Sequence, residues 1–248
     1  MMAPDSILVY ILVFIAGTLA YIVSTLSGGG GALILVPIAR YYLGTGAVAP
    51  VLNLANSIGQ PFRVWIFWKS IQWHITARYV PAGILGVLLG GWLFSHLRLE
   101  LIEVLLGIFL VSTIFQYRFG KKERSFRMPI KWFIPLGFLI GLISTMVGAV
   151  GPVLNPFYLN HGIEKQELIA TKTVNSFILG FMQIGTYVTL GSLRGELWVY
   201  GIVLGVGAAI GNLIGKKLLN RISSRLFRVL VIAVMVISGV VMIISIII

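Results

Sequence analysis

Ten apolar segments follow one another along this chain, and most have the length needed to cross a bilayer. They run at about 7–26, 31–43, 48–68, 78–95 and 100–117, then at 132–147, 151–160, 167–191, 196–214 and 224–247. About 20 helical residues traverse a hydrocarbon core of roughly 30 Å, and backbone groups at that depth must pair within the chain. Composition excludes a soluble globule: 58% of residues are apolar or aromatic and only 10% are charged, against about 25% charged in an ordinary soluble domain. The expected fold is an all-α polytopic membrane protein. Asp5 precedes the first segment, and no Lys or Arg does. Residues 7–26 therefore read as a retained helix rather than a signal peptide with a basic leader.

The segments divide into two sets of five, and the two sets resemble each other. Ser24-Thr25-Leu26-Ser27-Gly28 matches Ser144-Thr145-Met146-Val147-Gly148, Gly31 to Pro37 matches Gly151 to Pro156 with one deletion, and Asn56-Ser57 matches Asn175-Ser176. Gly83, Gly86 and Gly90 are echoed by Gly201, Gly205, Gly207 and Gly211. A repeat at nearly constant offset predicts duplicated architecture, with 1–117 as the first unit, 118–131 as a basic linker and 132–248 as the second. Five segments per unit is an odd number, so the second unit is expected to enter the membrane from the opposite side. The second segment of each unit is short and follows a glycine cluster that can break a helix.

Charge placement agrees with that topology. With 118–131 in the cytoplasm, the same side receives Lys69, Arg78, Arg118, Lys121, Lys122, Arg124, Arg127, Lys131, Lys165, Lys172, Lys216, Lys217, Arg221, Arg225 and Arg228. Only Arg40, Arg98 and Arg194 fall opposite, and Arg63 lies within a span. Such asymmetry follows the positive-inside rule and puts both termini outside the cytoplasm. The net charge of +12 therefore reflects topology and anionic headgroups, not nucleic acid.

Candidate site residues concentrate at the two breaks and in the segments that follow. Gly28, Gly29, Gly30 and Gly31 in one unit, and Gly148, Ala149, Val150 and Gly151 in the other, each precede a short segment. Broken helices in corresponding positions of inverted repeats mark transporter binding sites, because amides at a helix start attract anions; close helix packing is the plainer explanation for glycine. The third segment carries Asn53, Asn56, Ser57 and Gln60, and in the repeat alignment Lys172, Asn175 and Ser176 of the eighth occupy the places of Asn53, Asn56 and Ser57. They could line a cavity or tie helices together. Arg63 and Lys172 are charges inside spans, which are costly and functional as a rule. Each either compensates an anion or extends toward the cytoplasmic headgroups.

What is missing narrows the chemistry. Glu100, Glu103, Glu164, Glu167 and Glu196 flank segment ends and no Asp or Glu lies deep within a segment, the chain has no cysteine, and its three histidines, His74, His96 and His161, are scattered. Metal sites, thiol chemistry and catalytic triads have no residues to work with, so neither an enzyme nor a resident cofactor is expected. A cation would find no fixed negative partner, whereas an anion would find two positive ones. Trp65, Trp68, Trp73, Trp92, Trp132 and Trp198 lie near segment ends, as interfacial anchors do.

The run from Ser24 through Gly28–Gly31 to Val36-Pro37, the glycines from Pro81 to Gly91, and the recurrence of both features resemble the TauE/SafE family of sulfite exporters and toluene sulfonate uptake permeases. The resemblance implies an inner-membrane permease for sulfite, sulfonates or related organosulfur anions. The expected partners are a small anion and membrane lipids, with coupling to a proton or a sodium ion and the oligomeric state left open by the sequence. Alternating access is the leading mechanism. A passive anion channel and a non-transporting scaffold subunit are the competing readings.

Overall fold

The computed structural model describes residues 7–29, 32, 35–36, 39, 42–94, 107–108, 111, 128–148, 150–163 and 165–247. Among these the regular structure is helical throughout: α1 (Ile7–Leu26), α2 (Thr45–Ile66), α3 (Trp73–Phe94), α4 (Phe133–Val147), α5 (Asn155–His161), α6 (Lys165–Thr189), α7 (Leu197–Leu219) and α8 (Ser224–Ile247). Segment 100–117 and the linker 118–131 fall largely outside the described residues, as does most of 31–43.

Among the described residues, five helical stretches are long and apolar enough to cross a membrane: Ile7–Leu26, Trp73–Phe94, Ile130–Val147, Leu197–Leu219 and Ser224–Val241. The chain is a multi-pass membrane protein. Helices α2 and α6 have 22 and 25 residues, about 33 and 37 Å at 1.5 Å per residue. They reach the necessary length but are more polar, because they carry Asn53, Gln60, Arg63, Lys172, Asn175 and Gln183.

Those polar helices lie inside. Helix α2 packs on α6 and α7, α3 packs on α4 and α6, and α1 packs on α7. The first helix of each half thus leans on a helix of the other half, and the two halves interlock. Outward faces carry Leu85, Leu88, Ile202 and Val206, all exposed, as lipid-facing residues are. All six tryptophans are exposed, with Trp68 and Trp73 edge to face at 5.1 Å where α2 gives way to α3.

The interlocking depends on glycine. A Cβ at Gly17 would lie 2.9 Å from the Leu204 carbonyl oxygen, and one at Gly137 would lie 2.2 Å from that of Tyr79. Gly86 approaches the Phe138 carbonyl and Gly211 that of Thr18, with would-be Cβ distances of 2.0 and 2.4 Å. Small residues that bring backbones this close supply the dispersion contacts which hold membrane helices together, since burial of apolar surface does not distinguish helix from lipid.

Left-handed glycines end α1 and α4. Gly28 has φ 66° and Gly148 φ 84°, a conformation that costs glycine little and other residues more. The Gly29 amide returns to the Ser24 carbonyl at 2.7 Å, and the Gly148 amide to that of Ser144 at 2.8 Å. After the second break come a four-residue 3-10 turn, Gly151–Leu154, and the seven residues of α5. That is about 18 Å of rise, well short of a bilayer core of roughly 30 Å.

Candidate functional site

The breaks and the polar faces of α2 and α6 enclose one cavity of about 100 Å³, room for several waters or one small oxyanion. Of the residues expected at a site, Gly28, Gly29, Asn53, Asn56, Gln60, Arg63, Gly148, Val150, Gly151, Lys172 and Ser176 line it. Gly30, Gly31 and Ala149 lie outside the described residues. Ser57 and Asn175 do not line the cavity: Ser57 Oγ is packed beneath Gly180, and Asn175 Nδ2 donates to the Tyr158 hydroxyl at 2.9 Å.

Lys172 is buried at the crossing of the two breaks. Its ammonium donates to the Gly28 carbonyl at 2.5 Å, to the Gly151 carbonyl at 2.7 Å and to Asn155 Oδ1. An ammonium has three hydrogens, so every donor is in use. Lys172 therefore acts on the cavity as a fixed charge and as the staple between two chain breaks. Its head group does not reach outward.

Arg63 is held far more loosely. Pro61, two residues earlier, lies inside α2 and removes one backbone hydrogen bond there. The guanidinium reaches Ser24 Oγ at 3.5 Å and the Ser24 carbonyl at 3.3 Å, long for charged donors, which prefer about 2.7–2.9 Å. Arg63 Nε and Gln60 Oε1 are buried without a hydrogen-bond partner among the described residues. No Asp or Glu is among the described residues lining the cavity. Two cations thus share a buried space without a carboxylate, an arrangement whose cost is relieved by an anion.

Neutral groups complete the wall. Asn53 Nδ2 donates to the Tyr187 hydroxyl at 3.0 Å, which donates in turn to the Thr145 carbonyl. The Tyr21 hydroxyl donates to Asn56 Oδ1. Gln183 Nε2 donates to Ser144 Oγ at 2.7 Å and to Thr145 Oγ1 at 3.2 Å. Gln183, a polar residue of the eighth segment like Lys172 and Ser176, lines the cavity as well; Ser24, Tyr79, Ser144 and Thr173 also line it, and with Asn155 these four were absent from the expected set. Ser24 and Ser144 carried a signal, since they open the matched pentapeptides. Asn155 follows the second break by four residues; its Nδ2 donates to the Ser27 carbonyl at 3.4 Å, which turns its oxygen toward Lys172. His161 is tied to the Met128 carbonyl at 2.7 Å and stacks edge-on to Phe133, away from the lining.

Membrane-length helices packed around a buried, positively charged cavity are the components of a multi-pass transporter. The model of the sulfite exporter TauE/SafE family matches residues 13–242, and the chain belongs to that family. Members of the family are membrane transporters rather than enzymes. No curated protein and no solved structure matches the chain.

Proposed function

We propose that this protein carries a small sulfur oxyanion, sulfite or a sulfonate in first place, across the cell's inner membrane by alternating access. One observation carries the reading: Arg63 is buried at the cavity wall with Nε unpartnered and only long contacts elsewhere. A planar guanidinium in that condition suits oxygen atoms of an anion, which it can engage through two parallel donors. Lys172 adds charge without adding a donor, and Asn53, Asn56, Gln60 and Ser176 offer neutral groups that orient the ligand.

The two-unit plan supports a carrier. Gly17 and Gly137 are 120 residues apart, and the carbonyls they approach, on Leu204 and Tyr79, are 125 apart. Gly86 and Gly211 are also 125 apart, and their partners Phe138 and Thr18 are 120 apart. Matched seams are what two copies of one unit produce; with five segments in each, the copies are inverted and both termini face outward. Inverted units around a midplane site exchange conformations to open the site to each side in turn.

Liposomes containing the purified protein and a panel of labelled oxyanions test the reading. Saturable sulfite or sulfonate flux that falls at least tenfold in Arg63→Ala is the expected result. Flux unaffected by that change would refute the site, and unitary conductance steps would replace the carrier with a pore.

A further inference from the structure

The crossing of the two breaks is built as a cation site. Three oxygens converge there from two distant parts of the chain: the Gly28 carbonyl from one, the Gly151 carbonyl and Asn155 Oδ1 from the other. The first lies at the negative end of α1, where carbonyls of the last turn have no helical partner. Gly28 has φ 66°, and a side chain there would strain the turn and come within 2.9 Å of Leu168. Asn155 is turned by its own bond to the Ser27 carbonyl, so its oxygen and not its amide nitrogen faces inward. Unwound carbonyls and half-helix C-termini of this kind hold sodium ions in transporters with broken helices. Here the occupant is covalently attached.

We infer that the oxygens of Gly28, Gly151 and Asn155 form a monovalent-cation site which this chain fills with its own Lys172 ammonium, so that the protein's folding and its anion transport need no sodium. The geometry reads in both directions. Lys172 is buried with all three donors engaged, and a buried ammonium is tolerated only with such compensation. The three oxygens, gathered around one buried point, equally need a positive partner. Removing the side chain leaves a cage of oxygens without a cation, and a free alkali ion of the right size then replaces it.

The transport half of this inference rests on the permease reading; the cation site does not, and thermal unfolding reads it separately. The full chain in detergent is unfolded in sodium chloride and in choline chloride at equal ionic strength, as wild type, Lys172→Ala and Lys172→Met. The wild-type midpoint should be the same in both salts. Lys172→Ala should unfold at lower temperature in choline and rise with the logarithm of sodium concentration, by about 5 °C at a hundredfold excess over Kd. Lys172→Met fills the space without charge and should not respond. Should Lys172→Ala fail to fold in choline, Lys172→Ser is purified in sodium. A Lys172→Ser protein that is also unfolded there, a Lys172→Ala protein indifferent to sodium, or a wild type stabilised by sodium over choline would each overturn the proposal. In liposomes, wild-type uptake should be equal in the two salts, and Lys172→Ala uptake should require sodium. Absence of wild-type flux in either salt would sink the permease reading and leave the unfolding result standing.

Discussion

Arg63 and Gln183 perform the same act 120 residues apart. Arg63 Nη1 donates to Ser24 Oγ at 3.5 Å, and Gln183 Nε2 donates to Ser144 Oγ at 2.7 Å; the two serines are also 120 apart. Both pairs line one cavity, yet one donor is charged and the other neutral. The neutral one is well satisfied, and the charged one keeps an unpartnered Nε. The two wall positions are therefore unequal in what they leave for a ligand.

That inequality predicts unequal variants. Arg63→Gln turns the first position into a copy of the second, keeping a donor for Ser24 and losing the charge. A hydrogen bond to a charged group contributes about 1.5–3 kcal/mol, so oxyanion affinity should fall roughly 10- to 100-fold. Arg63→Lys should lose less, and Gln183→Ala less than tenfold. Isothermal titration with sulfite in detergent orders the three. Equal losses at Arg63 and Gln183 would contradict the assignment of charge recognition to Arg63.

The glycine seams predict a stability split. Ala at Gly86 would place a methyl 2.0 Å from the Phe138 carbonyl oxygen, and at Gly137 2.2 Å from that of Tyr79. Neither neighbour is a flexible side-chain tip, so α3 and α4 must separate, at a cost of about 2 kcal/mol or more. Gly185 in α6 has nothing within 4 Å of its would-be Cβ. Gly185→Ala should be neutral or stabilising by up to about 1 kcal/mol, since glycine is a poor helix former. Thermal unfolding monitored by intrinsic tryptophan fluorescence separates the cases.

Asn175 and Asn53 hold tyrosines, and the tyrosine variants distinguish scaffold from site. Tyr158→Phe removes the acceptor of Asn175 Nδ2, and a buried donor left unpaired costs about 1–3 kcal/mol. The midpoint should fall, but anion affinity should not, because Asn175 lies off the lining. Tyr187→Phe frees Asn53 Nδ2, which does line the cavity, and should alter both. A Tyr158→Phe protein with weakened anion binding would bring Asn175 back into the site.

Much of this was legible in the chain and the rest was hidden for identifiable reasons. Segments 7–26 and 224–247 coincide with α1 and α8, because an uninterrupted apolar run has little choice in lipid. Helices α2 and α3 start three and five residues before the expected 48 and 78, and α7 runs five residues past the expected 214. Arg63 and Lys172 stood out as charges in apolar surroundings, but spacing could not distinguish an engaged ammonium from an open guanidinium. Asn155 and Thr173 were passed over, since short polar side chains in membrane helices look alike whether they bind helices or ligands. The spaced glycines matched several registers by composition alone, and only their backbone contacts separate Gly211 from Gly207 as the counterpart of Gly86.

The orientation of the chain yields the last prediction. The sequence has no cysteine, so each engineered thiol reports alone. Lys69 and Arg194 are both exposed and stand in loops at either side of the bundle, after α2 and before α7. Basic residues gather on the cytoplasmic side, so Lys69 is expected inside and Arg194 outside. In intact cells, a membrane-impermeant maleimide should label Arg194→Cys and spare Lys69→Cys until the membrane is permeabilised. Ser223→Cys, between α7 and α8, should behave like Lys69→Cys, because in that topology α7 brings the chain back to the side of Lys69. Labelling of Lys69→Cys from outside would reverse the topology, and labelling of Lys69→Cys and Arg194→Cys from one side would remove a crossing and with it the inverted arrangement.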